Sequence, residues 1–378
     1  MLSPAERRRY QRHLQLAEIG EAGQLRLRAA RVLLVGAGGL GCPIIQYLVA
    51  AGVGTLGIAD ADRVAESNLQ RQILYGPADV GQRKVEVAAR EAHRLNPLVR
   101  VEPYPVRVTL ANVRELVAAY DVIVDGSDNF PTRYLLNDAC VSLGKPLVSG
   151  AIYKFEGQVS VFNYRGGPTY RCLFSEPPGA AEASDCDVTG VLGVLPGLVG
   201  AAQATETLKV MLDLGEVLSG RLWLFDALSF QTRTLRFRRH EARSQLNLDT
   251  ADPAAYADLC APSSPANSNA IPIATTITAA ALHQELASAA PPFLLDVREP
   301  NEFALCQLPG ATLVPLGEIA RAATLLPRDR SVVVYCHHGI RSAHAIGRLQ
   351  QAGFTNLRNL TGGIHAWAET MEPTMLKY

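Results

Sequence analysis

The chain has 378 residues, 36 of them basic and 36 acidic, so its formal net charge is zero. This balance argues against a surface for nucleic acid or for an anionic membrane, because both attract a strong excess of positive charge. The length permits two or three domains, each with its own hydrophobic core, and two is the better interpretation.

Seven cysteines are spread along the chain without a Cys-x-x-Cys pair or a regular spacing. Free thiols in a reducing compartment fit this pattern better than the disulfide framework of a small secreted domain. The N-terminal segment lacks the apolar core of a signal peptide, and glycines interrupt the most apolar stretch, 32–59. We therefore predict a cytoplasmic protein with no membrane segment.

The first part of the chain has the pattern of alternating strands and helices. Residues 31–60 predict a strand, a glycine-rich turn, a helix and a second strand, which together form a βαβ unit. The alternation continues with helices at 84–95 and 111–119 and strands at 100–106 and 121–125. After residue 145 we expect shorter strands at 157–164, 221–226 and 232–237, with a helix at 197–212.

A change in composition divides the chain. Residues 248–272 are rich in Ala, Pro, Ser, Asn and Asp and have no sustained apolar period, which is typical of a flexible linker. A coil of this length spans roughly 25 to 30 Å. We therefore predict a domain at 1–247, a linker at 248–272 and a smaller α/β domain at 273–378.

The glycine-rich turn predicts a nucleotide site. It follows a strand and precedes a helix, so its glycines let phosphates approach the helix N-terminus; they are Gly36, Gly38, Gly39 and Gly41. Asp60 ends the next strand, where a carboxylate binds ribose hydroxyls. These features alone indicate a dinucleotide-dependent dehydrogenase.

Four further runs change that interpretation. They are DADRV at 60–64, SNLQRQ at 67–72, GQRK at 81–84 and DGSDN at 125–129. In this order they resemble the ubiquitin-activating-like superfamily, and most closely its members that adenylate the sulfur-carrier proteins of molybdopterin and thiamine synthesis. The resemblance covers residues 1 to about 240 and implies a Rossmann-like adenylation domain that uses ATP and Mg²⁺.

The resemblance also implies a role for each matching residue. The adenosine part would be held by Gly39 and Asp60, and Asp128 would bind Mg²⁺ near the leaving pyrophosphate. Cations and metal ligands of this kind suit the transfer of a nucleotidyl group from a triphosphate. The full set of nucleotide-contacting residues that we predict is Gly36, Gly38, Gly39, Gly41, Asp60, Asp62, Ser67, Asn68, Arg71, Lys84, Asp128, Asn129 and Arg12.

Two of the implied roles reach beyond the nucleotide itself. Arg12, in the run RYQR at 9–12, matches an arginine that enters the partner subunit's site in the family, which implies a homodimer. Cys186 lies in the loop SDCDVTG at 184–190 and matches a cysteine that takes part in sulfur transfer or links covalently to the carrier.

The chain departs from the family at its structural zinc site. Close members carry two Cys-x-x-Cys pairs, whereas this chain reads TYRC at 169–172 and RHEARS at 239–244, so Cys172 alone is left of four. Structural zinc takes four N or S ligands, and His240 and Cys260 are poor substitutes at their spacing. We therefore expect no zinc site.

A second candidate site lies near the end of the chain. Cys336 follows the apolar run VVVY at 332–335 and opens the loop CHHGIRS at 336–342. Backbone N–H groups, the start of a helix and Arg341 would all favour an ionised sulfur, which is a nucleophile and can be held as a persulfide. His337 and His338 are interpreted as loop histidines without a part in catalysis.

This region resembles a single rhodanese domain. The resemblance rests on the Cys336 loop together with LDVRE at 295–299, Glu302 and Phe303, PGA at 309–311 and GGIHAW at 362–367. It implies that Cys336 accepts sulfane sulfur, that loop amides and Arg341 cradle the persulfide, and that Asp296 and Arg298 brace the loop.

The two resemblances together predict one enzyme, an adenylyltransferase and sulfurtransferase. It would adenylate the C-terminal glycine carboxylate of a small ubiquitin-fold sulfur carrier and convert it to a thiocarboxylate, with thiosulfate or a cysteine desulfurase as sulfur donor. The residues assigned to this chemistry are Arg71, Lys84, Asp128, Cys186, Cys336 and Arg341. The alternatives are a dehydrogenase, an enzyme that adenylates a peptide or small molecule, and a carrier-binding scaffold without catalysis.

Overall fold

The computed structural model describes residues 1–175, 190–244, 256, 275–288 and 290–376. Its chain forms two compact units, Met1–Ala261 and Pro262–Tyr378. Apart from Tyr256, the predicted linker 248–272 lies outside the described residues, so the proposed domain bounds stay predictions.

The larger unit is built on an eight-stranded sheet of order β3-β2-β1-β4-β5-β6-β7-β8. Strands β1 to β5 run parallel, and β6, β7 and β8 each pair antiparallel with the strand before them. The strands are β1 Arg31–Val35, β2 Thr55–Ala59, β3 Arg100–Tyr104, β4 Val122–Asp125, β5 Leu147–Tyr153, β6 Glu156–Phe162, β7 Arg221–Asp226 and β8 Gln231–Arg236.

Helices join the strands of this sheet. The α-helices described in the larger unit are α1 Pro4–Arg9, α2 Gln11–Leu14, α3 Gly20–Ala29, α4 Gly41–Ala51, α5 Lys84–Leu95, α6 Val113–Ala118, α7 Phe130–Leu143, α8 Tyr170–Leu173, α9 Leu195–Leu212 and α10 Glu241–Ser244. The sequence pattern predicts α4, α5, α6 and α9 but not the three N-terminal helices, α7 or strand β5.

The central strands are apolar throughout because helices cover both faces of the sheet. Side chains alternate between faces along a strand, so Val32 and Leu34 join one buried cluster, whereas Leu33, Val35 and Ile123 join the other. Two hydrophobic layers therefore enclose β1 and β4, and polar groups can reach solvent only beyond the strand ends.

The smaller unit has a five-stranded parallel sheet of order β11-β10-β12-β13-β9. Its strands are β9 Thr275–Ile277, β10 Phe293–Asp296, β11 Thr312–Leu313, β12 Val332–Tyr335 and β13 Leu357–Leu360. Its helices are α11 Ala279–Leu286, α12 Pro300–Leu305, α13 Ile340–Gln351 and α14 Gly363–Thr370, with a 3₁₀ helix at Leu316–Thr324. Helix α13 begins at Ile340, four residues after Cys336.

None of the helices in the described ranges combines the length and the apolar character that crossing a membrane would require.

Candidate functional site

A cavity of about 800 Å³ opens at the carboxyl ends of β1, β2 and β4. The chain proceeds from β1 to β2 and β3 on one side and returns to β4 on the other, and such a reversal opens a crevice for ligands. The cavity wall includes nine of the predicted nucleotide residues, Gly36, Gly38, Gly39, Asp60, Asp62, Arg71, Lys84, Asp128 and Asn129.

Gly36 is the turn residue that brings the β1 and β4 loops together. Its φ is +94°, and a Cβ added there would lie 2.5 Å from the carbonyl oxygen of Gly126. Gly41 is not part of the cavity wall but packs against the turn. A Cβ there would lie 2.2 Å from the Gly36 carbonyl oxygen. The start of helix α4 therefore packs directly on the turn.

Asp60 and Lys84 form the polar wall that follows β2. The Asp60 carboxylate accepts hydrogen bonds from the N–H groups of Ala37 (2.8 Å) and Asp62 (2.7 Å). Burial raises the pKa of Asp60, and the nearby positive charge of Lys84 opposes that shift. Lys84 is itself buried and places its Nζ 3.0 Å from Asp62 Oδ2. The ammonium group of Lys84 and the carboxylates of Asp60 and Asp62 thus lie beside the glycine-rich turn.

Arg71 lines the cavity from the segment after β2. Its Nη1 donates to the carbonyl oxygen of Ser67 at 3.2 Å. Ser67 and Asn68 belong to the 3₁₀ helix Glu66–Asn68, and Asn68 Oδ1 accepts from the Ala65 N–H. Ser67, Asn68 and Arg12 are described residues that are not part of the cavity wall, and their contacts with a nucleotide stay predictions.

Asp128 and Asn129 lie where β4 passes into helix α7. Asp128 is exposed and accepts from Asn129 Nδ2 at 3.4 Å. Asn129 caps the helix, because its Oδ1 accepts from the N–H of Thr132 at 3.0 Å. A solvent-facing carboxylate beside an amide carbonyl offers the oxygen ligands that Mg²⁺ prefers, so this pair is compatible with the Mg²⁺ site expected from the sequence.

Arg133 is a cavity residue that the sequence interpretation missed. It is buried, and its Nε lies 4.0 Å from Oδ2 of the fully buried Asp125. Burial raises the pKa of Asp125, whereas Arg133 and the hydroxyls of Ser127 and Ser149 favour its ionised form. The sequence carried no local signal for it, because all eight residues of 133–140 are buried and α7 shows no amphipathic period.

Gln72 is a second missed residue of the cavity wall. The residue is 4% exposed, and its Oε1 has no hydrogen-bond partner among the described residues. A buried amide oxygen without a partner costs free energy unless a ligand satisfies it.

Within the described part of the chain, the surroundings of Cys172 do not fit structural zinc. Its Sγ accepts from the N–H groups of His240 (3.2 Å) and Thr169 (3.4 Å). The hydroxyl of Ser244 lies 3.4 Å away. One sulfur that accepts from two backbone N–H groups thus lies at the place where four ligands would be needed. The segments 169–172 and 239–244, at which the family carries its cysteine pairs, are nevertheless in contact.

Cys336 lies at the end of β12, and its side chain is buried. The Gly339 N–H donates to its Sγ at 3.1 Å. The Ser342 Oγ is 3.5 Å from the same sulfur but donates its proton to Asn359 Oδ1 at 2.7 Å. Since α13 begins at Ile340, the helix N-terminus is directed at the sulfur and favours negative charge there.

Arg341 forms a two-point ion pair with Glu302. The two nitrogen-to-oxygen distances are 2.6 and 2.7 Å, and both side chains are mostly buried. Burial raises the pKa of Glu302, but hydrogen bonds from Arg341 and the Glu299 N–H outweigh it and hold the pKa below 4.5. The contact expected between Arg341 and a persulfide stays a prediction.

Asp296 and Arg298 form a buried ion pair beside the Cys336 loop. Their closest approach is 2.6 Å, and neither side chain is exposed. Asp296 is in register with Tyr335, the residue before Cys336, and Arg298 Nη2 also donates to the Cys306 carbonyl oxygen at 2.8 Å. The pair fixes the strand edge from which the loop departs.

Three histidines gather around this loop. His337 stacks on His338 with ring centroids 4.1 Å apart, and His365 of α14 lies 5.5 and 4.9 Å from them. Burial and the two neighbouring rings lower the pKa of His337 to about 4. Cys186, the other predicted sulfur-transfer residue, lies outside the described residues.

Comparisons with known proteins cover both units. The model of the ThiF family matches residues 10–246, and that of the rhodanese-like domain matches residues 278–370. "Probable adenylyltransferase/sulfurtransferase MoeZ" of Mycobacterium tuberculosis is 43% identical, in an alignment that covers 100% of this chain and 96% of that protein. "Sulfur carrier protein adenylyltransferase" of Thermus thermophilus is 54% identical over 61% of this chain and 88% of its own length.

A solved structure shares the fold of the larger unit. The crystal structure of E. coli MccB with MccA-N7isoASN aligns with a TM-score of 0.56 and 20% identity, over 63% of this chain and 73% of that one. At that identity the likeness shows the fold alone.

Proposed function

This chain belongs to the ThiF family and carries a rhodanese-like domain, and we propose that it adenylates a sulfur-carrier protein and then transfers sulfur to it. One observation carries the proposal: the cavity assembles Arg71, Lys84 and Asp128, and the same chain holds Cys336 with the Gly339 N–H directed at its sulfur. The substrate would be the C-terminal glycine carboxylate of a small ubiquitin-fold carrier.

In the first step the carrier carboxylate attacks the α-phosphorus of ATP, and pyrophosphate leaves. The adenosine would lie against Gly39 and Asp60, while Arg71 and Lys84 stabilise the charge that moves to the leaving pyrophosphate. Asp128, with Asn129, would hold Mg²⁺, which neutralises phosphate charge when bound. Lys84 is held by Asp62 before the nucleotide arrives, so it needs little reorganisation.

In the second step a persulfide on Cys336 attacks the acyl-adenylate. Its terminal sulfur forms a bond to the acyl carbon and AMP leaves, which gives an acyl disulfide between the carrier and Cys336. The Gly339 N–H, which donates to Sγ of the unmodified cysteine, and the start of α13 would stabilise the negative charge of the terminal sulfur. Thiosulfate or a cysteine desulfurase would supply the sulfur.

Cys186 would release the product. Its thiolate attacks the Sγ of Cys336, the carrier leaves as a thiocarboxylate, and a Cys186–Cys336 disulfide remains. A cellular thiol reductant then returns both cysteines to the reduced form. The proposal includes a homodimer in which Arg12 completes the partner's site, and a cytoplasmic location, which the five described cysteines support because all are unpaired.

ATP–pyrophosphate exchange tests the first half. We expect the purified full-length protein to exchange only with a carrier from the same genome that ends in glycine. Asp128→Asn should lower the exchange at least tenfold, because it removes one charge from the metal site. Cys336→Ala should leave exchange unchanged.

Intact mass of the carrier after addition of thiosulfate tests the second half. We expect replacement of one oxygen by sulfur, and Cys336→Ala should abolish it. Full thiocarboxylate yield from Cys186→Ala would remove that residue from the mechanism.

The exchange assay also separates the alternative functions. ATP–pyrophosphate exchange that a short peptide supports and none of the carriers supports would favour peptide adenylation. Absence of exchange with every substrate would leave the scaffold alternative.

A further inference from the structure

Three histidines of the smaller unit form a cluster for which the proposed chemistry has no use. They are His337, His338 and His365, and each offers one ring nitrogen within 4.8 Å of those of the other two. Among the described residues this is the one group of three such side chains with metal-ligand spacing. Imidazole is a good ligand for Zn²⁺ and neighbouring divalent transition metals.

The backbone holds the cluster together. The N–H groups of Ile364 and His365 donate to the carbonyl oxygens of Cys336 (2.9 Å) and His337 (3.1 Å). This approach requires Gly363, where φ is +62° and a Cβ would lie 2.2 Å from the His337 carbonyl oxygen. The loop and the start of α14 therefore present their histidines from rigid, directly bonded elements, which is the support that a metal site needs.

The two ring nitrogens of His365 are in different surroundings. Its Nε2 lies 3.5 Å from Oε1 of Glu369, one turn along α14. Its Nδ1 is buried and has no hydrogen-bond partner within the described ranges. A carboxylate facing one ring nitrogen and no protein partner at the other is the arrangement of metal-bound histidines.

We propose that His337, His338 and His365 bind one divalent transition-metal ion through their imidazoles. Three nitrogen ligands leave one position of a tetrahedral ion open. Metal–nitrogen bonds of about 2.0 to 2.1 Å require nitrogens closer together than 4.8 Å, so the rings rotate inward when the ion binds. The ring of His338 is exposed, so it can leave its stack on His337 without disturbing buried packing.

The site is separate from the one at which the family binds structural zinc. The expectation of no zinc rests on the missing cysteine pairs around Cys172, in the larger unit, whereas the histidine cluster lies in the smaller unit. Zinc that is measured in the whole protein must therefore be assigned to one of the two places with histidine and cysteine variants.

Binding of Zn²⁺ to the full-length protein, measured by competition with a chromophoric chelator and by elemental analysis after gel filtration, tests the proposal. We expect one ion per chain with a dissociation constant of about 1 µM or below. His337→Asn, His338→Asn and His365→Asn should each weaken binding at least tenfold, and Glu369→Gln by about tenfold. His344→Asn, on the neighbouring helix α13, should have no effect, and His338→Asn changes an exposed ring that folding does not need.

Co²⁺ as a second probe identifies the ligand atoms. Imidazole ligands give weak visible bands, whereas a thiolate ligand adds an intense charge-transfer band in the near ultraviolet. We expect no such band and unchanged affinity in Cys336→Ser and Cys172→Ser. Wild-type affinity weaker than about 100 µM, unchanged binding in all three histidine variants, or a thiolate band that disappears in Cys336→Ser would each overturn the proposal.

Discussion

Two cations on the wall of the larger unit's cavity, Lys84 and Arg133, have an acidic partner in the protein. Lys84 is paired with Asp62, and Arg133 stands next to Asp125 beneath the end of β4. These partners orient the cations, and they also offset part of their charge. Because a triphosphate brings much more negative charge than one carboxylate, the cations remain attractive to it and are already in position.

The φ of Gly36 leads to a stability prediction. Gly36→Ala places a methyl group 2.5 Å from a backbone oxygen at a φ of +94°. We expect the larger unit to lose about 2 kcal/mol or more of unfolding free energy through strain and steric overlap. Urea unfolding followed by Trp223 fluorescence in a Trp367→Phe background isolates that unit, because the chain has two tryptophans.

Gly38→Ala is the matched control in the same turn. The nearest atom to its added Cβ is Gln72 Nε2, at the ordinary contact distance of 3.6 Å, and its φ is not in the left-handed region. We expect a change within about 0.5 kcal/mol. Equal losses in the two variants would refute the assignment of strain to Gly36.

The Glu302–Arg341 pair makes the stability of the smaller unit depend on pH. The pKa of Glu302 is lower in the folded protein than its ordinary 4.5, despite the opposing effect of burial. The unfolded chain therefore takes up this proton at a higher pH than the folded one. The stabilisation is complete above about pH 4.5 and is lost as pH falls through the folded-state pKa.

Glu302→Gln should remove that pH-dependent contribution. We expect a loss of about 1 to 3 kcal/mol at pH 7, because Arg341 keeps its charge in a mostly buried position, and a smaller difference from wild type at pH 4. Urea unfolding followed by Trp367 in a Trp223→Phe background measures both. The exposed pair Glu318–Arg321 is the control, and Glu318→Gln should change stability by less than about 0.5 kcal/mol at either pH. A Glu302→Gln loss that does not vary with pH would contradict the assignment.

At the scale of elements, the sequence predicts what is locally periodic. The bounds of α5 and β7 agree with prediction, because α5 shows its amphipathic period within a few residues and β7 is a short apolar run between Arg221 and Asp226. Helix α7 has no such period, since all eight residues of 133–140 are buried. Its polar members Arg133, Asn137 and Asp138 find partners inside the protein, which sequence spacing cannot reveal.

The residues of the candidate sites likewise fall into those that local sequence predicts and those that it does not. The glycine turn and the Cys336 loop are contiguous, so their local pattern is informative. Gln72 and His365, in contrast, become candidate site residues only through residues that are distant in the sequence. Gln72 lies on the cavity wall, and His365 lies beside the His337 ring. Their positions depend on the packing of whole elements, which one sequence does not specify.

The junction of β4 with α7 gives a prediction at this scale. Arg133→Met leaves Asp125 buried without its cation, and we expect a loss of about 3 to 5 kcal/mol. Adding Asp125→Asn removes the unpaired charge, so the double variant should be more stable than Arg133→Met alone. Urea unfolding of the wild type, the two single variants and the double variant, followed by Trp223 fluorescence, gives the coupling energy between Arg133 and Asp125. Additive effects of the two changes would show that the pair is not coupled.

At the scale of the whole molecule, the open question is whether two chains share each adenylation site. Arg12 ends outside the wall of its own chain's cavity, is exposed, and donates to Gln15 Oε1 at 3.3 Å. If Arg12 serves the partner's site, its loss and the loss of Asp128 affect different sites of a mixed dimer. One site then carries both defects, while the other has neither.

Mixing two inactive variants therefore tests this arrangement. Arg12→Ala and Asp128→Asn should each lose most ATP–pyrophosphate exchange when alone. After unfolding and refolding together in equal amounts, half of the dimers are mixed and each has one intact site, so we expect about a quarter of wild-type exchange. The same mixture with Lys84→Ala in place of Arg12→Ala is the control and should stay inactive, because Lys84 and Asp128 line the cavity of a single chain. Recovery in the control alone, or in neither mixture, would mean that Arg12 does not act across a dimer.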